Sequence, residues 1–165
     1  MMASTLVSIV ARFAGTGRIG GLRVGMNAAD LGAVLHGLAI DYRNVQGIDT
    51  NDKYDSLDLA VSGGRLVLLG LDHDGELGFE LPGALGAGVQ PAAVPRDLLV
   101  AELADAGCLW SDDPSLTFPG RQSALRTGAG VSLVFARPSA LDVAVDMAAD
   151  AELLTSAYLS LARMV

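Results

Sequence analysis

The chain has 165 residues, 51% of them hydrophobic and only 5% aromatic, with 11 Lys and Arg against 19 Asp and Glu for a formal net charge of −8. That length suits one ordinary domain or two very small subdomains and lets roughly 70% of the unfolded surface be buried, with Ala, Val and Leu doing most of the packing. Residues 1–82 and 83–165 each carry a net −4, so there is no basic arm or half to neutralise phosphates, and the charge argues against nucleic-acid binding.

Residues 1–14 are apolar around Leu6, Val7, Ile9 and Val10, and the first basic residue, Arg12, follows the run. A signal peptide carries its charge first, and no stretch reaches about 18 consecutive apolar residues. The expected location is the cytoplasm, without membrane association. Residues 3–14 fit a helix capped by Ser4 or Thr5, but Val7, Ile9 and Val10 are β-branched and fit a strand as well. Homodimerisation through this segment stays open.

Gly15 to Gly21 reads as a loop on its glycine content. The letters Gly15-Thr16-Gly17-Arg18-Ile19-Gly20 also match a dinucleotide fingerprint, and Asp41 lies 21 residues beyond Gly20, near where a ribose-binding acid belongs. Pyrophosphate binds at the N-terminus of a helix that starts inside such a loop. Here Gly20, Gly21 and Gly25 occupy the place of that helix, which favours the plain loop. Asn27 is a good N-cap for a helix over 28–36, with Leu31, Val34 and Leu35 at helical spacing and Gly37 as its stop.

The acids Asp49, Asp52, Asp55 and Asp58 then surround Tyr42 and Tyr54. They form a solvated face or an acidic, tyrosine-bearing patch able to steer a basic protein partner. From Tyr54 the alternation of Leu57, Leu59 and Val61, the turn Ser62-Gly63-Gly64 and the apolar run 65–71 predict a β-hairpin. Asp74-Gly75 predicts a second turn and residues 76–81 a third strand, giving a meander over 54–81. The cluster Asp72-His73-Asp74-Gly75-Glu76 lacks the length of a calcium loop and the His or Cys of a zinc site, so no metal is expected.

Residues 82–94, with Pro82, Gly83, Gly86, Gly88 and Pro91, read as a linker, 83–94 at its narrowest. Beyond it Pro95 to Ala106 predicts a helix stopped by Gly107. Cys108, the only cysteine, follows that stop and reads as a buried, inert thiol that forms no internal disulfide. Extended pieces follow at 116–118, 123–126 and 131–136. Asp112-Asp113-Pro114 and 137–140 are turns, 141–147 alternates as a strand, and 150–164 predicts a final helix with Leu153, Leu154, Ala157, Tyr158 and Leu161 as its stripe. The fold class is therefore α+β: antiparallel meanders with short helices and a C-terminal helix. It is one domain over 1–165, or a tandem helix–hairpin pseudo-repeat with halves 1–82 and 95–165. The likeness of 57–61 to 141–145 is what suggests the repeat, but five alternating residues match easily by chance, and one domain with one continuous sheet is the leading reading.

Heavy use of Ala, Gly, Arg and Asp beside a single Lys, Lys53, fits a GC-rich bacterial genome. Gly21-Leu22-Arg23-Val24-Gly25-Met26, the helix from Asn27 to His36, Tyr54 to Leu59 and Gly64-Arg65-Leu66 resemble a pattern of small bacterial immunity-type proteins of toxin systems. The helix-before-sheet order is also similar to the BamE-like and β-lactamase-inhibitor folds. The resemblance covers 21–71. The chain lacks the lipoprotein signal of the first group and the disulfide cysteines of the second. It implies a binding protein without a catalytic centre.

His36 and His73 have no nucleophile motif beside them, and no serine lies in a Gly-x-Ser-x-Gly elbow. The expectation is a non-enzymatic, immunity- or inhibitor-like protein without cofactor, using Tyr42, Asp49, Asp52, Tyr54, Asp55 and Asp58 to meet a partner. The alternatives are a nucleotide-binding protein or small oxidoreductase using Gly15–Gly20, and a structural or accessory domain.

Overall fold

The computed structural model describes residues 5–73, 78–86, 92–137 and 151–161. The expected strand at 141–147 and the turns at 74–75 and 138–140 lie outside them. The fold is α+β, built on an eight-stranded antiparallel sheet in the order β3-β4-β5-β6-β10-β9-β8-β7 beside a two-stranded hairpin.

The N-terminal segment is helix α1 (Thr5–Thr16). Its β-branched residues yield to tertiary packing: Leu6, Val7, Val10, Phe13 and Ala14 form one helical stripe, and all are buried in the core. Gly17 stops α1 at φ 74°, its N–H bonded to the Phe13 carbonyl at 2.6 Å. The expected loop at 15–21 is instead the end of this helix and a tight hairpin, β1 (Arg18–Ile19) with β2 (Leu22–Arg23), which buries Ile19 and Leu22. Asn27 caps α2 (Ala28–Val34), accepting from the Asp30 N–H at 2.8 Å.

Four strands follow in one meander: β3 (Tyr42–Gln46), β4 (Asp49–Tyr54), β5 (Leu57–Ser62) and β6 (Arg65–Asp72). Gly63 and Gly64, both at positive φ, make the β5–β6 turn as expected. The expected third strand at 76–81 does not extend this meander among the described residues. Phe79 makes an isolated bridge to Ala92, and the neighbour of β6 is β10. Ser56, fully buried, holds that crossing in place. Its hydroxyl accepts from Glu80 N–H at 2.8 Å, its N–H donates to Glu80, and its carbonyl accepts from Asp72 N–H.

The linker segment includes a short helical turn, α3 (Gly83–Gly86), and the buried Val94. Helix α4 (Arg96–Asp105) runs as expected to Gly107 at φ 71° and packs against α1. Then come β7 (Trp110–Asp112), a 3-10 turn over Pro114–Leu116 capped by Asp113, β8 (Gln122–Thr127), β9 (Ser132–Ala136) and β10 (Leu153–Ser160).

The expected C-terminal helix is thus strand β10, wedged between β6 and β9. A bulge between Leu154 and Ser156 explains the misreading. It advances the phase by one residue, so Leu154 and Ala157, three apart, both join the core and mimic a helical stripe. The core lies between α1 and α4 and one sheet face. Leu57, Leu59, Leu69, Leu71, Leu133, Phe135 and Leu159 point into it.

Candidate functional site

Strand side chains alternate between faces, so each meander strand sends half its residues away from the helices. The pairing register aligns these into a row across the whole sheet. Tyr42 stands opposite Lys53, Lys53 opposite Asp58, Asp58 opposite Gly70 and Gly70 opposite Tyr158. The row continues through Ser132, Arg126 and Ser111. On its β3–β6 side no described element covers this face.

Two shallow hollows of about 290 Å3 each open on it. One is lined by Asp58, Leu68, Gly70, Asp72, Ser156 and Tyr158. The other is lined by Asn44, Gln46, Asp49, Asn51, Ala60 and Ser62. The first exists because Gly70 has no side chain: a Cβ there would lie 2.9 Å from the Tyr158 Cβ and 3.1 Å from the Ala157 carbonyl oxygen. Lys53 reaches Asp72 at 3.7 Å. Burial pushes the Asp58 carboxyl up from its ordinary value, the charge of Lys53 opposes that and the charge of Asp72 adds to it. Asp49 accepts from the Ser62 hydroxyl at 3.1 Å and the Gly63 N–H at 3.4 Å.

The six residues singled out from the sequence do not form one patch. Tyr42, Asp49 and Asp58 belong to the open face, and Tyr42 is 60% exposed. Asp52 and Tyr54 turn the other way and are 7% and 3% exposed. Asp52 is held bidentate by Arg43, Nε to Oδ1 at 2.8 Å and Nη2 to Oδ2 at 2.9 Å. Burial, then the charge of Asp52, push the Tyr54 hydroxyl up, and Arg43 pulls it back. Asp55 occupies the β4–β5 turn at φ 52° and donates its N–H to the Asp41 carboxylate. Sequence reading missed Lys53, Gly70, Asp72, Ser156 and Tyr158. Only the register brings them beside Asp58.

A larger hollow, about 730 Å3, lies elsewhere, between α4 and Trp110, lined by Arg96, Asp97, Val100, Ala104 and Glu152 among others. Its strongest polar groups are closed on each other. Arg96 meets Glu152 at 2.7 Å and Ser123 at 3.0 Å, with its guanidinium 5.3 Å over the Phe135 ring. Burial alone would raise the Glu152 carboxyl, but bonds from Arg96 and Ser123 and the charges of Arg96 and Arg137 outweigh it and hold it low. The open face, where charge and hydroxyl groups point outward, is the better candidate.

The glycine segment 15–20 joins the C-terminal end of α1 to the β1–β2 hairpin, and α2 begins only at Ala28. The segment therefore opens no helix of its own whose N-terminus could receive a pyrophosphate. Cys108 is half-buried, and burial pushes its thiol up, away from the reactive thiolate. Among the described residues no group of three or more His, Cys, Asp and Glu is arranged to hold a metal ion, and no helix is long and apolar enough to cross a membrane. The described residues therefore present an α+β scaffold with a charge-bearing sheet face. No protein family model, curated protein or solved structure matches the chain.

Proposed function

We propose that the chain is a non-enzymatic binding protein that docks a basic protein partner on the open face of β3–β6, acting by occlusion as an immunity or inhibitor protein does. The observation that carries this reading is the charge count on that face: Asp49, Asp58 and Asp72 against Lys53 and Arg65, with Lys53 drawn to Asp72 and the Arg65 guanidinium donating to the Gly25 carbonyl at 2.9 Å, beside the exposed ring of Tyr42. Tyrosine is favoured at interfaces, and complementary charge steers encounter and fixes register. A glycine-floored hollow next to Tyr158 and two carboxylates suits the end of a partner's Lys or Arg side chain. Lys53 is paired with Asp72 and the Ser62 hydroxyl is held by Asp49 in an open hollow, an arrangement that suits recognition of a partner's side chain.

The test is cross-linking mass spectrometry of the tagged chain in its own cells, comparing wild type with an Asp49→Arg, Asp58→Arg, Asp72→Arg variant and with an Asp97→Arg, Asp105→Arg control on α4. A partner captured by wild type and control, lost from the face variant and weakened by salt, supports the reading. Capture unchanged in the face variant sinks it. Far-UV circular dichroism confirms that each variant is folded.

A further inference from the structure

Strand β3 is an edge of the sheet, and all five of its residues are exposed. Natural edge strands are guarded by lysine, proline or a bulge that stops another strand from pairing. Within 42–46 β3 has none: its ladder with β4 runs from Tyr42↔Lys53 to Gln46↔Asp49 without a shift and contains no Lys or Pro, and the one irregular bond, from the Asp41 N–H to the Lys53 carbonyl at 2.8 Å, lies just before it. Its one cation, Arg43, is tied to Asp52. Exposed apolar side chains flank and fill it: Ile40, Tyr42, Val45 and Ile48, the last 83% exposed at the turn.

We infer that this edge pairs antiparallel with the same edge of a second copy, centred on Asn44. Gln46 and Asp49 close a two-residue turn, Gly47-Ile48, with Gly47 at φ 65°. The closing pair of such a turn is hydrogen-bonded and the bonding alternates along the ladder. Tyr42, Asn44 and Gln46 therefore spend their backbone groups on β4, whereas Arg43 and Val45 aim theirs outward. Only registers that set outward groups against outward groups can form.

Three such registers matter. Centring on Arg43 opposes two guanidinium groups. Centring on Val45 sets Arg43 against the turn residue Gly47 and leaves Tyr42 beyond the end of the facing strand. Centring on Asn44 sets Arg43 against Val45 and Tyr42 against Gln46, so that all five strand residues find a partner. It alone pairs the whole strand, and it avoids like-charge pairs, which are destabilising when directly opposed. The pairing uses the backbone edge and leaves the open face free, so it stands whether or not that face binds a basic partner. It would join two open faces into one surface.

At the centre the two copies of residue 44 form a non-hydrogen-bonded pair, with Cα atoms about 4.5 Å apart, within disulfide range. In a Cys108→Ser background, Asn44→Cys is expected to form a disulfide-linked dimer on mild oxidation, and Arg43→Cys and Val45→Cys to stay monomeric. Light scattering after size exclusion should show a concentration-dependent wild-type dimer that strengthens with salt, because each copy carries −8. Val45→Pro removes only an outward N–H and should be a folded monomer. Cross-linking through residue 43 or 45 instead of 44, a wild-type monomer at every concentration, or a dimer unaffected by Val45→Pro overturns the inference.

Discussion

Replacing Gly70 with alanine tests the packing on which the open face depends. Directly opposed residues in an antiparallel pair ordinarily hold their Cβ atoms about 4.5–5.5 Å apart. A Cβ on Gly70 would sit 2.9 Å from that of its partner Tyr158, 3.1 Å from the Ala157 oxygen and 3.4 Å from the Tyr158 Cα. The crowding atoms are backbone or attached directly to it, on a strand clamped from both sides, so no rotamer change relieves them. Overpacking of this kind costs about 1–3 kcal/mol. Alanine returns about 0.4–1 kcal/mol by restricting the unfolded chain. The expected net loss is therefore about 1–2 kcal/mol, read as a lower urea midpoint at unchanged m-value. Adding Tyr158→Gly, which removes the opposing Cβ, should show positive coupling with Gly70→Ala in a double-mutant cycle. A Gly70→Ala protein as stable as wild type, or more so, refutes the reasoning.

Thr127 is buried where β8 meets α1: its hydroxyl donates to the Ala14 carbonyl at 2.6 Å and accepts from Val131 N–H at 3.3 Å. Thr127→Val keeps the shape and orphans both groups, so a loss of about 2–4 kcal/mol is expected in chemical denaturation, with Thr127→Ser much closer to wild type. Asp58 has a carboxyl raised chiefly by burial, so the folded state favours its protonated form; this favourable contribution is complete below the ordinary carboxylate range and is lost as pH rises through the folded value. Asp58→Asn should therefore raise the melting temperature at neutral pH and lose that advantage in acid. Glu152 is the reverse case: held low by Arg96 and Ser123, it stabilises the fold above the ordinary carboxylate range, and that contribution falls away as pH drops through its folded value. Glu152→Gln should destabilise at neutral pH and converge on wild type in acid; parallel melting curves at all pH values would contradict it.

What the sequence revealed was set by local chemistry. The β5–β6 turn was written in Gly63-Gly64, α2 in Asn27, and α4 in Pro95 and Gly107. The β3–β4 hairpin was hidden because an edge pair buries little: Asp49, Asn51, Asp52 and Lys53 supply no hydrophobic alternation, and the one usable signal was Gly47 before Ile48. β10 was misread because its bulge disguised a period of two. The acidic patch was visible as letters, but the opposite orientations of Asp52 and Asp58 depend on which strand each occupies. The row from Lys53 through Gly70 to Tyr158 joins segments far apart in the chain. It became visible only once β10 was paired with β6.

The strand order has a consequence for how the molecule assembles. β3 to β6 and β7 to β9 can each form from neighbouring stretches of chain, but β6 and β9 meet only through β10, which is made after both. During synthesis each group therefore presents a long apolar border, Leu66 to Leu71 on one and Ser132 to Ala136 on the other, until residues 153–160 slide between them. Joining strands so distant in sequence carries a large loop-closure cost and folds slowly. The last-arriving strand is thus the one that makes the sheet continuous. A chain halted before it would hold two sticky sheets in place of one finished one.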